Sequence, residues 1–333
     1  MDAEALHKNA LVMDAAAPLL RDRRYIDHYI AGGVDVLVPT VCTNDTASQA
    51  LATIAGWHAH LSRDDRLVLV SSVAEIQAAK DAGKTAVILH AQGADLLENK
   101  VDFVDAFKAL GVGIMQFTYN EKNRLGDGAG ERTDAGLSIF GVKVVGRCND
   151  VGIVIDGSHT GSRTTLDAME HSSKPVVFSH ANPKGVHDTA RNITDEQIKS
   201  CAATGGVIGA VGYPAFVSAD PRPTIDQFID HIAYVADLVG IEHVSLGIDY
   251  FLGQAGIADD ERAIKEYEGR IAEGRWRRED YPPPPYYYPE GIETPDKLAN
   301  LTAALVRRGF TETDIRAVLG GNWMRVLDVC WGK

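Results

Sequence analysis

Two histidines close apolar runs: His159 ends Gly152-Ile-Val-Ile-Asp-Gly-Ser-His159, and His180 ends Pro175-Val-Val-Phe-Ser-His180. On neighbouring parallel strands the two imidazoles would face one barrel mouth, where they could hold a metal ion or act on a reacting carbonyl. His90 closes a third run, Ala86-Val-Ile-Leu-His90, and Gln92 follows two residues later. Strand alternation puts positions 90 and 92 on the same face. Tyr119 and Asp249 end two further runs of this kind. Asp156 lies on the opposite strand face from Ile155 and is expected to orient a neighbouring group. Cys42 has no base beside it in sequence and reads as a small buried apolar group.

These residues need a frame that brings strand ends together. Short β-branched runs alternate with longer amphipathic stretches along the chain, the pattern of βα units. Candidate strands end near Asp14, Thr40, His90, Tyr119, Ser158, His180, Gly212 and Asp249. Helices are expected at 47–61, 73–82, 101–110, 139–149, 163–170, 195–203 and 225–238, with Thr194 and Gln197 forming a capping box for the sixth. Further helices between 294 and 330 follow from Thr294-Pro-Asp and from Thr311 with Asp314. Eight strand–helix units imply an α/β fold, a single (β/α)8 TIM barrel over residues 1–333.

One segment, 259–290, breaks the rhythm. It is charged at first, then reads Trp276-Arg-Arg-Glu-Asp-Tyr-Pro-Pro-Pro-Pro-Tyr-Tyr-Tyr-Pro289. The charged run 259–278 is expected to be a solvated helix. Four prolines favour extended chain, and the flanking rings need a surface to cover. Because it follows the eighth strand it emerges at the barrel mouth, as a lid or a subunit contact, or else as a packed surface loop without substrate contact.

A formal charge of −13 over 333 residues disfavours nucleic acid as a partner. Four dispersed cysteines give neither a disulfide framework nor a thiolate zinc site. Without a signal-like start or an apolar run of spanning length, the expectation is a cytoplasmic protein with no membrane contact.

Around the two histidines the chain resembles the membrane (renal) dipeptidase family of metallopeptidases, peptidase M19, within the amidohydrolase superfamily. The matching stretches are Asp134-Ala-Gly-Leu-Ser-Ile-Phe-Gly141, Ile155-Asp-Gly-Ser-His159, Ser179-His-Ala-Asn182, Arg191-Asn-Ile-Thr-Asp-Glu-Gln197, Gly205-Gly-Val-Ile-Gly209, Gly247-Ile-Asp249 and Leu319-Gly-Gly-Asn-Trp-Met-Arg-Val-Leu327. The resemblance implies a metal-dependent-hydrolase barrel and a possible homodimer. It also implies two zinc ions held by a His-x-Asp motif on strand one, a bridging glutamate on strand three, and the histidines ending strands five and six. This chain keeps His159 and His180. It has Ala16 and Pro18 in place of the first pair and Gln92 in place of the glutamate.

The resemblance therefore leaves a site for one zinc ion on His159, His180 and Gln92. It makes Asp249 the proton shuttle, Arg191 (with Asn192) the grip on a substrate carboxylate, and Tyr119 the replacement for an oxyanion-stabilising histidine. His90 is a further catalytic candidate. The expected activity is amide or peptide bond hydrolysis in a small substrate bearing a carboxylate. Two alternatives stand beside it: a metal-independent lyase, decarboxylase or isomerase on the same barrel, and an inactive homologue that binds a ligand.

Overall fold

The computed structural model describes residues 1–257 and 260–332. Asp259, where the charged segment begins, and Lys333 lie outside the described residues.

Parallel strands build the centre. β1 (Met13–Ala17) pairs with β2 (Val36–Cys42), and β2 pairs with both β4 (Thr85–Val87) and β5 (Leu89–Ala91), two pieces of one line interrupted at Ile88. The ladder continues through β6 (Val112–Gln116), β7 (Val154–Asp156) and β8 (Val176–Val177). β9 (Ile208–Ala210) pairs with β10 (Val244–Leu246). Two hydrogen bonds at Phe178, its N–H to Val207 O (2.9 Å) and Gly209 N–H to its carbonyl (2.8 Å), join β8 to β9. The ring closes where Asp249 N–H donates to Ala16 O at 3.1 Å. This is the expected α/β barrel of eight staves, its seams carried by a few backbone bonds each. β3 (Leu67–Leu69), which the sequence pattern did not reveal, pairs with β4 outside the ring.

Period-2 alternation sets the lumen in layers. Met13, Val36, Val38, Ala86, Ile88, Ile114, Val154, Val177 and Val207 form one apolar cluster with Trp323, Val326 and Leu327 of the C-terminal helix Asn322–Trp331. Two residues further along several staves the side chains turn polar: Val38 gives way to Thr40, Ile88 to His90 and then Gln92, Ile114 to Gln116, and Val154 to Asp156. All five of these polar residues are buried, so their hydrogen-bonding groups must be satisfied by each other or by a ligand.

The helices of the outer layer fall close to expectation. Ala47–Leu61, Asp195–Ala203 and Ile225–Val239 are each closed at the N-terminus by a capping box. Thr311 and Asp314 form another before Glu312–Arg316. Thr294-Pro-Asp starts only a 3-10 turn, Pro295–Lys297, before the helix Ala299–Arg307.

The charged segment is a helix over Asp260–Ala272, but it is not simply solvated. Tyr267 and Arg270 are buried. Beyond it Trp276, Tyr281, Tyr286 and Tyr288 are buried while Pro282, Pro283 and Pro285 stay exposed. The rings cover the barrel mouth, and the Tyr288 hydroxyl donates to the Asp249 carbonyl at 2.5 Å. All four cysteines are free and buried. Among the described residues no helix is long and apolar enough to cross a membrane.

Candidate active site

His159 and His180 meet at the mouth with ring centroids 4.9 Å apart. His159 sits just past β7 with φ of 61°, and Asp249 just past β10 with φ of 62°. Left-handed backbone is costly for side chains other than glycine, and where it persists the surrounding structure enforces it, often at functional positions. Glycines let the neighbouring chains close in: a Cβ at either Gly209 or Gly247 would overlap the Ser179 carbonyl oxygen. This packing fixes the backbone beside His180.

Each imidazole is oriented through one nitrogen. His159 Nδ1–H donates to Asn120 Oδ1 at 2.8 Å, which leaves Nε2 as an acceptor. His180 Nδ1–H donates to Ser179 Oγ at 2.7 Å, and Ser179 O–H donates to Asp156 Oδ2 at 2.5 Å. His180 Nε2 is buried and, among the described residues, has no partner. Asp156 also accepts the Ser158 and Ser179 N–H groups at 2.9 Å each and pairs with His90 Nε2 at 3.1 Å. Burial alone would raise the Asp156 carboxyl; the bond from His90, the neighbouring His90 and His180 rings and the Ser179 hydroxyl outweigh it and hold it below the usual carboxylate range. Burial, reinforced by Arg191, keeps His159 well below the ordinary imidazole range; burial likewise keeps His180 low, against the pull of Asp156.

A small cavity above the rings is lined by Gln92, Tyr119, His159 and Asp249, with Pro18 at the end of β1. Arg270, Trp276 and Tyr281 of the covering segment complete its walls. About 20 Å³ is open to water, room for a single molecule. Among the described residues no hydrogen bond reaches the Gln92 amide, whose Nε2 is buried and unpartnered. Burial pushes the Asp249 carboxyl up to about 8 against the pull of Arg191 and Arg270. Tyr119 stacks on His159 at 4.2 Å, and its oxygen accepts from Trp276 Nε1 at 3.1 Å and Arg270 Nη1 at 3.4 Å. With those lone pairs engaged, its own O–H is left to donate.

A family model described as "Membrane dipeptidase (Peptidase family M19)" matches residues 28–273 and 285–330. The chain belongs to peptidase family M19. An amidohydrolase structure from Pseudomonas aeruginosa superposes on this M19 chain with a TM-score of 0.88 at 32% identity, covering 100% of both chains. A Rhodobacter sphaeroides metallo peptidase, liganded with a phosphinate mimic of the dipeptide L-Ala-D-Ala, shares the fold with a TM-score of 0.79 at 19% identity, over 97% of this chain and 99% of that one. An uncharacterized dipeptidase of Schizosaccharomyces pombe is 32% identical over 224 residues, 66% of this chain and 47% of the relative. The chain spans about half the length of this and two other curated dipeptidase relatives.

Of the residues expected in the M19 site, His159, Gln92, Tyr119 and Asp249 line one cavity, and His180 lies directly beside His159. His90 stands below, against Asp156, with no place in the cavity wall. Arg191 borders a flanking pocket of about 300 Å³ that shares His159. Its Nε–H donates to Tyr281 Oη at 3.1 Å, whereas its buried Nη2 has no partner among the described residues. Asp188 pairs with Lys184 at 2.8 Å and leaves Arg191 alone. Asn192 spends its amide nitrogen on the His187 and Phe216 carbonyls. Asn120, Arg270, Trp276 and Tyr281 had no motif to betray them. The only sequence signal for the last two was an aromatic pair after the eighth strand, and they fall in 274–284, between the two matched stretches.

Proposed function

We propose that the chain is a dipeptidase-like hydrolase that cleaves the amide bond of a small substrate bearing a free carboxylate, with at most one zinc ion. The observation that carries this reading is the pairing of His159 and His180, ring centroids 4.9 Å apart: both imidazoles are oriented through Nδ1, His180 Nε2 is unpartnered among the described residues, and His159 shares a cavity with Asp249 and Tyr119.

The donors do not fit two ions: among the described residues no group of three or more His, Cys, Asp or Glu could hold a metal, and Ala16 and Pro18 stand at the end of β1. They fit one. Two unprotonated imidazoles, each oriented through Nδ1, and the unengaged amide of Gln92 supply N and O donors of the kind zinc accepts. Zinc bound there would polarise a water and the substrate carbonyl as a Lewis acid.

The chain's own residues do the rest. Asp249, poised near neutrality, takes a proton from the attacking water and gives it to the amine nitrogen as the C–N bond breaks. The free O–H of Tyr119 donates to the carbonyl oxygen as it gains charge. Arg191 Nη2 receives the terminal carboxylate in the pocket beside His159. Trp276 and Tyr281 close the cavity, so they must move aside for a dipeptide to enter. A metal-independent reaction on the same residues is the second reading, favoured by the missing third charged ligand.

The test is turnover of a dipeptide panel against the same peptides with amidated C-termini. Free dipeptides should be cleaved and the amides turned over much more slowly; a purified, folded protein that cleaves none of them sinks the proposal.

A further inference from the structure

The catalytic cavity is too small for a whole substrate, so the rest of the molecule needs space next to it. A pocket of about 400 Å³, which Arg191 does not line, shares four wall residues with the cavity: Pro18, Arg21, Phe251 and Arg270. Arg191 follows β8 and Arg21 follows β1, three staves apart on an eight-stave ring, and they border different pockets: Arg191 one that shares His159 with the cavity, Arg21 this one. A substrate that reaches from Arg191 across the cavity meets Arg21 in the cavity wall.

Charge decides what this second pocket accepts. Three of its arginines already hold a carboxylate: Arg262 pairs with Asp22 at 2.6 Å, Arg270 with Glu266 at 2.9 Å, and Arg275 with Glu273 at 3.0 Å. Arg21 has no ion pair and no hydrogen bond from its side chain among the described residues, and it is exposed at the point where the pocket meets the cavity. In a chain of net charge −13 an uncompensated cation here is a local exception. A guanidinium presents forked donors that match a carboxylate.

We propose that this pocket receives the side chain of the substrate's amino-terminal residue and that Arg21 selects a carboxylate there, so that the preferred substrates are dipeptides beginning with an acidic residue. The inference rests on the hydrolase reading above and adds the substrate class. Arg21 acts on specificity and touches none of the reacting atoms.

The experiment compares kcat/KM for Glu-Ala, Gln-Ala and Lys-Ala in the full-length protein and in Arg21→Gln and Arg21→Glu. Gln-Ala differs from Glu-Ala only in charge. The wild type should prefer Glu-Ala over Gln-Ala by roughly two- to fivefold, the gain from one exposed charge pair. That ratio should shrink with added salt. Arg21→Gln should bring it towards one, and Arg21→Glu should move the preference to Lys-Ala. Turnover with no glutamyl preference, or a preference that survives both substitutions, overturns the assignment of Arg21 alone. No turnover of any of the three peptides overturns the hydrolase reading and this inference together.

Discussion

Asp156 holds His180 through a single hydroxyl: the Ser179 Oγ lies 2.7 Å from His180 Nδ1 and 2.5 Å from Asp156 Oδ2. The carboxylate fixes the direction of the serine proton, which fixes the imidazole tautomer and leaves Nε2 as the acceptor nitrogen. Ser179→Ala removes the relay with little change in volume. It should cost on the order of 10–100-fold in zinc affinity, measured against a competing chelator, while circular dichroism stays unchanged. An unaltered affinity would mean that His180 needs no such support.

Tyr119 is the residue through which the covering segment reaches the chemistry. Its oxygen takes hydrogen bonds from Trp276 and Arg270, so Tyr119→Phe leaves two buried donors unpaired as well as removing the donor to substrate. The expected loss in kcat is about 10²-fold, with KM changed far less, as for other oxyanion donors. Loss confined to KM would place the phenol in binding only.

Arg191→Met keeps most of the packing against Phe216 and deletes the fork. Because a hydrogen bond to a charged group is worth about 1.5–3 kcal/mol, kcat/KM for free dipeptides should fall by roughly ten- to a hundredfold. The amidated peptides, which have no carboxylate to lose, should be unaffected. Equal losses for both series would remove Arg191 from carboxylate recognition.

Two buried acids should make the protein less stable as pH rises. Asp14, whose Oδ1 accepts from Ile248 N–H at 2.8 Å and whose Oδ2 has no partner, is pushed by burial up to about 7; Asp249 is pushed up to about 8. Both folded-state values exceed the ordinary 3.8. Between about pH 4 and 8 the folded chain keeps these two protons where the unfolded chain has released them, so the acids' contribution to stability falls across this window and levels off above it, while the buried His159 and His180 act in the opposite direction below about pH 6.5. Asp14→Asn keeps the acceptor for Ile248 and carries no charge. It should raise the thermal midpoint at pH 9 by a few degrees, at about 2–4 °C per kcal/mol, and leave it near unchanged at pH 4. A gain from Asp14→Asn no larger at pH 9 than at pH 4 would contradict this.

The barrel and its paired histidines were legible because both are local. His159, His180, His90 and Asp249 each close an apolar run, and a strand end is a short-range signal of alternation and punctuation. Polar and apolar layers of the lumen follow from the same period of two. What surrounds the histidines was less readable. Asn120 orients a ring 39 positions away, and Trp276 meets Tyr119 across 157. Such pairs depend on how loops lie over the mouth, which no periodicity encodes. Arg270 shows the limit most clearly: charge alternation along its helix predicts a solvated face, yet its guanidinium is buried between Phe251 and Trp276, 5.0 and 4.9 Å from their ring centres.

The most direct test of the centre is to count zinc. Purified protein, dialysed against trace zinc and assayed for metal and dipeptide turnover together, should carry about one ion per chain. His180→Ala should lose the ion and the activity in step. The proximity of Arg191 and Arg270 to His159 should make the binding weak enough for chelators to reverse. Two ions per chain, or full turnover after exhaustive chelation, would contradict a hydrolase built on His159 and His180 with a single metal.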